Sequence, residues 1–204
     1  MKKIEILKYT VVEKQESGIS INEKNINYEI INEELNENNI QYFYHFTDRS
    51  NLSSIKEYGG LYSWKYCLSN NITIPKAGGG ESSRSLDRRY KLEDYVRLSF
   101  CTDHPMVFRL KQNGYNLVLL KIKIDVAWLR DTLFSDMNAT DNMHCHGPNL
   151  SDLQRINIDA TKSTFVSNGH PYFKPHQAEV MVKTCVPLEY IINIDDPFKL
   201  WYML

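Results

Sequence analysis

The apolar residues of this chain cluster in short segments, and two long polar stretches separate them. The segments alternate or run unbroken over five to eight residues and are rich in aromatic and β-branched side chains, which is typical of strands. We therefore predict strands at residues 41–47, 95–101, 117–124, 178–185 and 190–194. A helix should follow the first strand, because Asp48 or Ser50 can cap it and Gly59 can end it.

The two polar stretches cover residues 63–91 and 138–176. Each is predicted to be a long loop, with a short helix at 150–156 in the second and another helix at 126–132 between them. Long loops in compact domains are typically functional or disordered. Strands far apart in sequence must pair across these loops, so the pattern predicts an α+β fold with a strand-rich core.

The first 40 residues differ in composition from the remainder, with five lysines and eight glutamates. A strand at 3–12 and a helix at 26–35 are plausible there. We interpret residues 1–40 as an N-terminal extension of unknown role and residues 41–204 as one domain.

Composition excludes few classes of protein, since 42% hydrophobic and 24% charged residues are ordinary for a globular domain and the net charge is −1. The net charge therefore does not indicate a nucleic-acid partner. The sequence has no run of 18 apolar residues and no signal-peptide pattern, so we expect a cytoplasmic protein. The four cysteines lack metal-ligand or redox spacing. Neighbouring residues rarely converge on one ion, so His144, Cys145 and His146 do not predict a metal site either.

Two short motifs offer chemistry. His45 and Thr47 lie where the first strand joins its helix and could direct an imidazole and a hydroxyl at one point, a combination that suits ribose hydroxyls. Glu179 lies in an apolar strand, where burial can make a carboxylate reactive. The alternatives are a core histidine among aromatic side chains and an edge-strand glutamate facing water.

Residues 84–97 carry five cationic side chains and three acidic ones. Guanidinium groups bind phosphates and base edges with forked geometry, although a solvated face of internal ion pairs would give the same composition. The triple glycine at 78–80 lacks the Lys-Ser/Thr of a phosphate-binding loop and is interpreted as a flexible loop tip.

Three motifs in order resemble one known family. They are Tyr44-His45-x-Thr47, then Leu92-x-Asp94-Tyr95-Val96, then Gln177-Ala178-Glu179. Together they are similar to the DarT family of bacterial toxins, which ADP-ribosylate single-stranded DNA. The resemblance runs from about residue 41 to residue 195.

The resemblance implies an ADP-ribosyltransferase fold, a split mixed β-sheet with flanking helices and NAD+ in a central cleft. Residues 63–91 would cover NAD+, residues 134–178 would hold the target nucleotide, no metal would take part, and a macrodomain antitoxin would be the protein partner. It implies a catalytic role for Glu179 with Arg84 or Arg88. The implied NAD+ contacts are His45, Thr47, Asn51, Gly60, Arg89 and Tyr95. The implied DNA contacts are Met106, His146, His170, Tyr172 and Gln177.

The chain departs from the thymidine-modifying branch of that family, which tends to have Pro after the Val of Asp-Tyr-Val and an Arg near Pro-Met. Here Arg97 follows Val96. The departures favour guanine over thymine as the target base. Two other hypotheses stay open: an ADP-ribosyltransferase that acts on RNA or protein, and a nucleic-acid-binding module with a decayed site.

Overall fold

The structure is a computed structural model that describes residues 28–199. Its helices are α1 (Tyr28–Glu37), α2 (Leu52–Glu57), α3 (Trp64–Ser69), α4 (Glu81–Tyr90), α5 (Pro105–Gln112), α6 (Leu150–Leu153) and α7 (Ile158–Lys162). Its strands are β1 (Tyr42–Asp48), β2 (Gly60–Tyr62), β3 (Tyr95–Ser99), β4 (Leu117–Lys123), β5 (Leu133–Ser135), β6 (His146–Gly147), β7 (Glu179–Lys183), β8 (Cys185–Pro187) and β9 (Phe198–Lys199).

Seven strands form one sheet in the order β6-β5-β7-β3-β1-β4-β9, and β2 and β8 form a two-stranded sheet. The α+β class and the divided sheet are confirmed. Every pairing between described strands is antiparallel, whereas the resemblance implied a mixture of parallel and antiparallel pairs. No helix within residues 28–199 is both long and apolar enough to cross a lipid bilayer.

The large sheet is weakest at its centre, between β1 and β3. β1 pairs with β4 along seven residues and β3 pairs with β7 along five, but β1 and β3 share a single register pair, Tyr44 with Ser99. Beyond that pair the two strands diverge, because no further ladder hydrogen bonds hold them together. The divergence opens a cleft between the two halves of the sheet.

The apolar faces of both halves meet in one core. Phe43, Leu120 and Ile122 are fully buried there, and Ile31 and Leu35 of α1 join the same cluster. The helix expected at 26–35 is therefore found at Tyr28–Glu37 and packs on the sheet. The strand expected at 3–12 lies outside the described residues, and the division of the chain at residue 40 stays a prediction.

The prediction that residues 63–91 form a loop was wrong in part, because the segment contains α3 and α4. Ser63 begins α3 by accepting a hydrogen bond from the Tyr66 N–H at 3.1 Å. α4 has no fully buried residue, so no apolar periodicity marked it in the sequence.

Other boundaries differ for similar local reasons. The strand expected at 178–185 breaks at Thr184, which has a left-handed φ of 62° and separates β7 from β8. The strand expected at 190–194 is a 3-10 turn followed by one bridge between Ile122 and Ile191. The helix expected at 126–132 is a 3-10 turn, and α5 was missed although Pro105 stands at its first position.

Candidate active site

The cleft between the sheet halves has a volume of about 730 Å³. Its walls come from β1, α2, the segment between β2 and the end of α4, β3, the start of α5 and the chain before β7. Nine of the residues that sequence reasoning selected line it: Glu179, Arg84, His45, Thr47, Asn51, Gly60, Tyr95, Met106 and Gln177.

Glu179 is the first residue of β7 and is only 5% exposed. Its Oε2 accepts two hydrogen bonds, from Arg97 Nη1 at 2.7 Å and from the backbone N–H of Ala139 at 2.9 Å. Its Oε1 has no hydrogen-bond partner among residues 28–199. One carboxylate oxygen is thus fixed, and the other remains for a ligand in the cleft.

Arg97 lies in the middle of β3 and holds Glu179 and Asp87 together. Its Nη2 donates to Asp87 Oδ1 at 2.5 Å, so the α4 helix is tied to the β7 strand through one guanidinium. Burial disfavours the charge on Arg97, but the two carboxylates outweigh burial and raise its pKa. Burial also raises the pKa of Asp87, although Arg97 opposes this.

Sequence reasoning missed Arg97 as a site residue. The available signal was a charged residue at the centre of an otherwise apolar strand, since such residues are rarely buried without a partner. Its partner could not be found from the sequence, because the pairing of Arg97 with Met181 across β3 and β7 sets which carboxylate it meets.

His45 bridges the gap where the sheet divides. Its Nδ1 lies 3.0 Å from the backbone carbonyl oxygen of Arg97, which only accepts, so Nδ1 carries the proton and Nε2 is left as an acceptor. Burial lowers the pKa of His45 and outweighs the opposing effect of that carbonyl. A neutral imidazole at this point can accept a hydrogen bond from a ligand hydroxyl.

Thr47 and Asn51 connect β1 to the chain that precedes α4. The Asn51 side-chain amide donates to Thr47 Oγ1 at 3.0 Å and to the Lys76 carbonyl at 2.8 Å, and its oxygen accepts from the Lys76 N–H at 2.8 Å. Both Asn51 hydrogen-bonding groups are used within the protein, so its observed role is to fix the wall of the cleft.

Gly60 lines the cleft as the first residue of β2. A side-chain carbon at this position would lie 2.6 Å from the backbone oxygen of Val186 and 2.9 Å from Cys185 Sγ. Only glycine permits β2 and β8 to approach so closely here.

The three arginines selected from the sequence have different positions. The Arg84 guanidinium lies 3.4 Å from the centre of the Trp64 ring, at the wall of the cleft. Arg88 is exposed and pairs with Glu81 at 2.9 Å. Arg89 is exposed beside Tyr90, so the structure does not bring Arg88 or Arg89 into the cleft.

The residues selected for the target nucleotide also separate. Met106 and Gln177 line the cleft, whereas His146, His170 and Tyr172 do not. His146 stacks on His144, and His170 meets Tyr172 edge-on at 5.3 Å.

Known proteins share sequence and fold with this chain. The sequence model of the family described as "ssDNA thymidine ADP-ribosyltransferase, DarT" matches residues 44–196. A DNA ADP-ribosyl transferase from Thermus aquaticus is 28% identical over 164 residues, which are 74% of this chain and 72% of that protein.

Solved structures share the fold at lower identity. The DarT of Thermus sp. 2.9 in complex with ADP-ribosylated single-stranded DNA superposes with a TM-score of 0.64 at 16% identity, over 75% of this chain and 79% of that one. The same protein in complex with NAD+ gives 0.58 at 17%, over 74% and 79%. Thermosipho africanus DarTG in complex with ADP-ribose gives 0.64 at 22%, over 74% of this chain and 42% of that longer one. With the family model covering most of the chain, the protein belongs to the DarT family.

Proposed function

We propose that this protein transfers ADP-ribose from NAD+ to a nucleobase of single-stranded DNA. Membership of the DarT family supports the reaction class, and related structures in complex with NAD+ and with ADP-ribosylated DNA support both substrates. We propose guanine rather than thymine as the base, because Arg97 follows Val96 where the thymidine-modifying branch tends to have Pro. The family description itself names thymidine, so the first experiment should identify the modified base.

The observation that carries the proposal is the half-occupied carboxylate of Glu179. Arg97 and the Ala139 N–H hold Oε2, and Oε1 is left for the cleft. A carboxylate held in this way needs no reorganisation when positive charge develops nearby, and preorganised groups of this kind contribute about 3 to 4 kcal/mol to transition-state stabilisation.

The cleft suits NAD+ in size and in its polar groups. A volume of about 730 Å³ lies within the range of ligand and cofactor sites. In the proposed transfer the bond between the ribose anomeric carbon and the nicotinamide nitrogen of NAD+ breaks and neutral nicotinamide leaves. A nitrogen of the base forms the new bond to the same carbon. Oε1 of Glu179 accepts a hydrogen bond from the ribose 2′-hydroxyl and later takes the proton that the attacking base nitrogen loses. His45 and Thr47 bind NAD+ on the β1 side.

We assign the remaining residues by their positions. Arg84, held on Trp64, is proposed to engage an NAD+ phosphate, with Tyr95 and Gly60 lining the same volume. Met106 and Gln177 are proposed to contact the target base. His146, His170 and Tyr172 would then contact DNA outside the cleft.

A toxin role with a macrodomain antitoxin is part of the proposal. It rests on the family and on the Thermosipho africanus DarTG relative, of which this chain covers 42%. Induced expression should stop growth, and the Glu179→Ala variant should relieve the arrest. Growth unaffected by the active protein would overturn the toxin role alone.

The reaction is tested with labelled NAD+ and single-stranded oligonucleotides that each lack one base. We expect label on DNA with the wild-type protein and none with Glu179→Gln. Among the oligonucleotides, only the one that lacks guanine should stay unlabelled by wild type. Transfer that requires thymine instead corrects the base. Label on added RNA or on protein, with none on any DNA, would support the alternative substrates and overturn the proposal.

A further inference from the structure

Three neighbouring rings, two of them stacked, pack against one another outside the cleft. His144 and His146 are stacked with ring centroids 5.0 Å apart and planes inclined by 10°, and Tyr90 meets His144 edge-on at 4.8 Å and 84°. All three side chains are half-buried, so each keeps an exposed part. We call Tyr90, His144 and His146 the ring stack.

The ring stack begins on the same face of the sheet as Glu179. His146 is the register partner of Ser135 on β5, and Ser135 is the partner of Glu179 on β7. Directly paired residues on neighbouring strands project from the same face. Two strand spacings place the His146 backbone roughly 10 Å from that of Glu179. Glu179 and His146 therefore share one face of the sheet, two strands apart.

The His146 ring is better suited to contact a base than to bind an anion. Burial, then the neighbouring His144, then Arg97 lower the pKa of His146, so its ring is neutral near pH 7. His144 Nδ1 is engaged with the Asp141 carbonyl at 2.6 Å, and its Nε2 is enclosed without a hydrogen-bond partner. A flat, uncharged ring such as that of His146 stacks on nucleobases, which all present a π-face.

Cations flank the ring stack on its α4 side. The Arg89 guanidinium lies 5.7 Å from the centre of the Tyr90 ring, and Lys91 is exposed next in the chain. Neither has a carboxylate partner among residues 28–199, unlike Arg88, which pairs with Glu81. Aromatic rings bordered by unpaired cations match the alternation of bases and phosphates in a single strand.

We propose that the ring stack binds an unpaired nucleobase next to the one that is modified, with Arg89 and Lys91 facing the adjoining phosphate. The base packs against the part of the His146 side chain that is exposed. This inference rests on the proposed function, since it assumes a single-stranded DNA substrate at Glu179. It adds a second base-binding position, outside the cleft, that fixes which stretch of DNA is presented.

A packing role is the competing explanation, because Tyr90 also contacts the small apolar cluster of Leu92, Ala139 and Met181. Packing alone predicts a loss of stability and no loss of DNA affinity. For that reason the test changes His146, at the end of the stack, and leaves Tyr90 intact.

The first measurement is the Kd of a fluorescein-labelled single-stranded oligonucleotide by anisotropy, at one fixed salt concentration. His146→Phe keeps a flat ring and should bind within about 3-fold of wild type. His146→Gln keeps hydrogen bonding without the ring and should raise Kd about 10-fold, in line with the loss of one stacked base. Phe198→Ala is the control, because Phe198 is a half-exposed ring near Lys121 at the opposite edge of the sheet and should leave Kd unchanged.

The second measurement replaces one base at a time with an abasic site on either side of the target. An abasic site at one of these positions should weaken binding by wild type about 10-fold. The same abasic site should have little effect on the affinity of His146→Gln, because the two changes remove the same contact.

Equal affinities for wild type, His146→Phe and His146→Gln would overturn the ring-stack assignment. A larger loss in His146→Phe than in His146→Gln would overturn it too, because it would indicate a hydrogen bond, and equal losses in both variants would show that a flat ring is not the contact. If wild type still transfers ADP-ribose to DNA in those cases, the proposed function stands without this site. If wild type neither binds nor modifies single-stranded DNA, both proposals fail.

Discussion

Arg97 and Glu179 are joined by a hydrogen-bonded ion pair of 2.7 Å between adjacent strands, at the base of the cleft. Arg97 also pairs with Asp87, so one half-buried cation lies between two carboxylates from distant parts of the chain. The arrangement fixes Glu179 from one side only. It also links the position of α4 to the carboxylate that we propose to be catalytic.

Replacing Arg97 with Ala should impair both stability and transfer. The buried Glu179 and the half-buried Asp87 would lose their cation, and breaking a buried pair from one side typically costs about 3 to 5 kcal/mol. Urea unfolding measures the stability loss, and hydrolysis of NAD+ without DNA measures the effect on Glu179.

Arg88→Ala is the matched control, since its pair with Glu81 is exposed and should change the unfolding free energy by less than about 1 kcal/mol. Adding Asp87→Asn to Arg97→Ala should recover part of the lost stability, because it removes one of the two stranded charges. A variant Arg97→Ala that is as stable and active as Arg88→Ala would contradict this account.

Much of the fold follows from local sequence pattern, and the active-site contacts do not. The strands at Tyr42–Asp48 and Leu117–Lys123 are visible because β-prone residues stand between clear turn signals. α4 was invisible because it has no fully buried face.

The contact between Arg97 and Glu179 depends on pairing across 82 positions of sequence. Periodicity within either strand contains no information about that register. The sequence motifs offered Glu179 and His45 as candidates, and the family resemblance gave them roles. It pointed to Arg84 or Arg88 for the arginine, whereas the residue that contacts Glu179 is Arg97.

Gly60→Ala should strongly destabilise the protein. The added carbon would lie 2.6 Å from the Val186 backbone oxygen, which cannot move without disturbing the β2–β8 pairing. We expect a loss of about 2 kcal/mol or more in the unfolding free energy, typical of overpacking against backbone. Gly80→Ala is the control, because nothing lies within 4 Å of a side-chain carbon there. Equal stability of the two variants would show that β8 yields.

Phe165→Gly should stabilise the fold. Phe165 has a left-handed φ of 55° and a 68% exposed side chain, and its N–H donates to Asp103 Oδ2 at 2.7 Å. A bulky residue in that conformation costs about 1 kcal/mol that glycine does not pay. Phe165→Ala keeps the strain, so the difference in melting temperature between Gly and Ala isolates it. A Gly variant no more stable than the Ala variant would mean that the loop relaxes.

The buried pair of Asp103 and His176 should make the unfolding free energy decrease at alkaline pH. His176 Nε2 lies 3.2 Å from Asp103 Oδ1, and His176 Nδ1 is engaged with the Ala160 carbonyl at 2.9 Å. Burial opposes the charge on His176, but Asp103 and the Cys101 thiol prevail and raise its pKa to about 10.

Because the folded-state pKa of His176 exceeds the ordinary value of 6.5, its stabilising effect is complete below pH 6.5 and declines as pH rises towards 10. We therefore expect the melting temperature of wild type to fall between pH 7 and pH 10. His176→Gln should be less stable at pH 7 and should show a flatter profile over that range.

The pH range below 6.5 provides a control for this assignment, because His104 rather than His176 should change the stability there. Burial, then His176, lower the pKa of His104 to about 4, so the unfolded state binds a proton more readily and stability should fall between pH 6.5 and pH 4. His104→Gln should flatten that acid decline and leave the alkaline one intact. Alkaline profiles that are the same in wild type and His176→Gln would show that His176 is not charged in the folded protein.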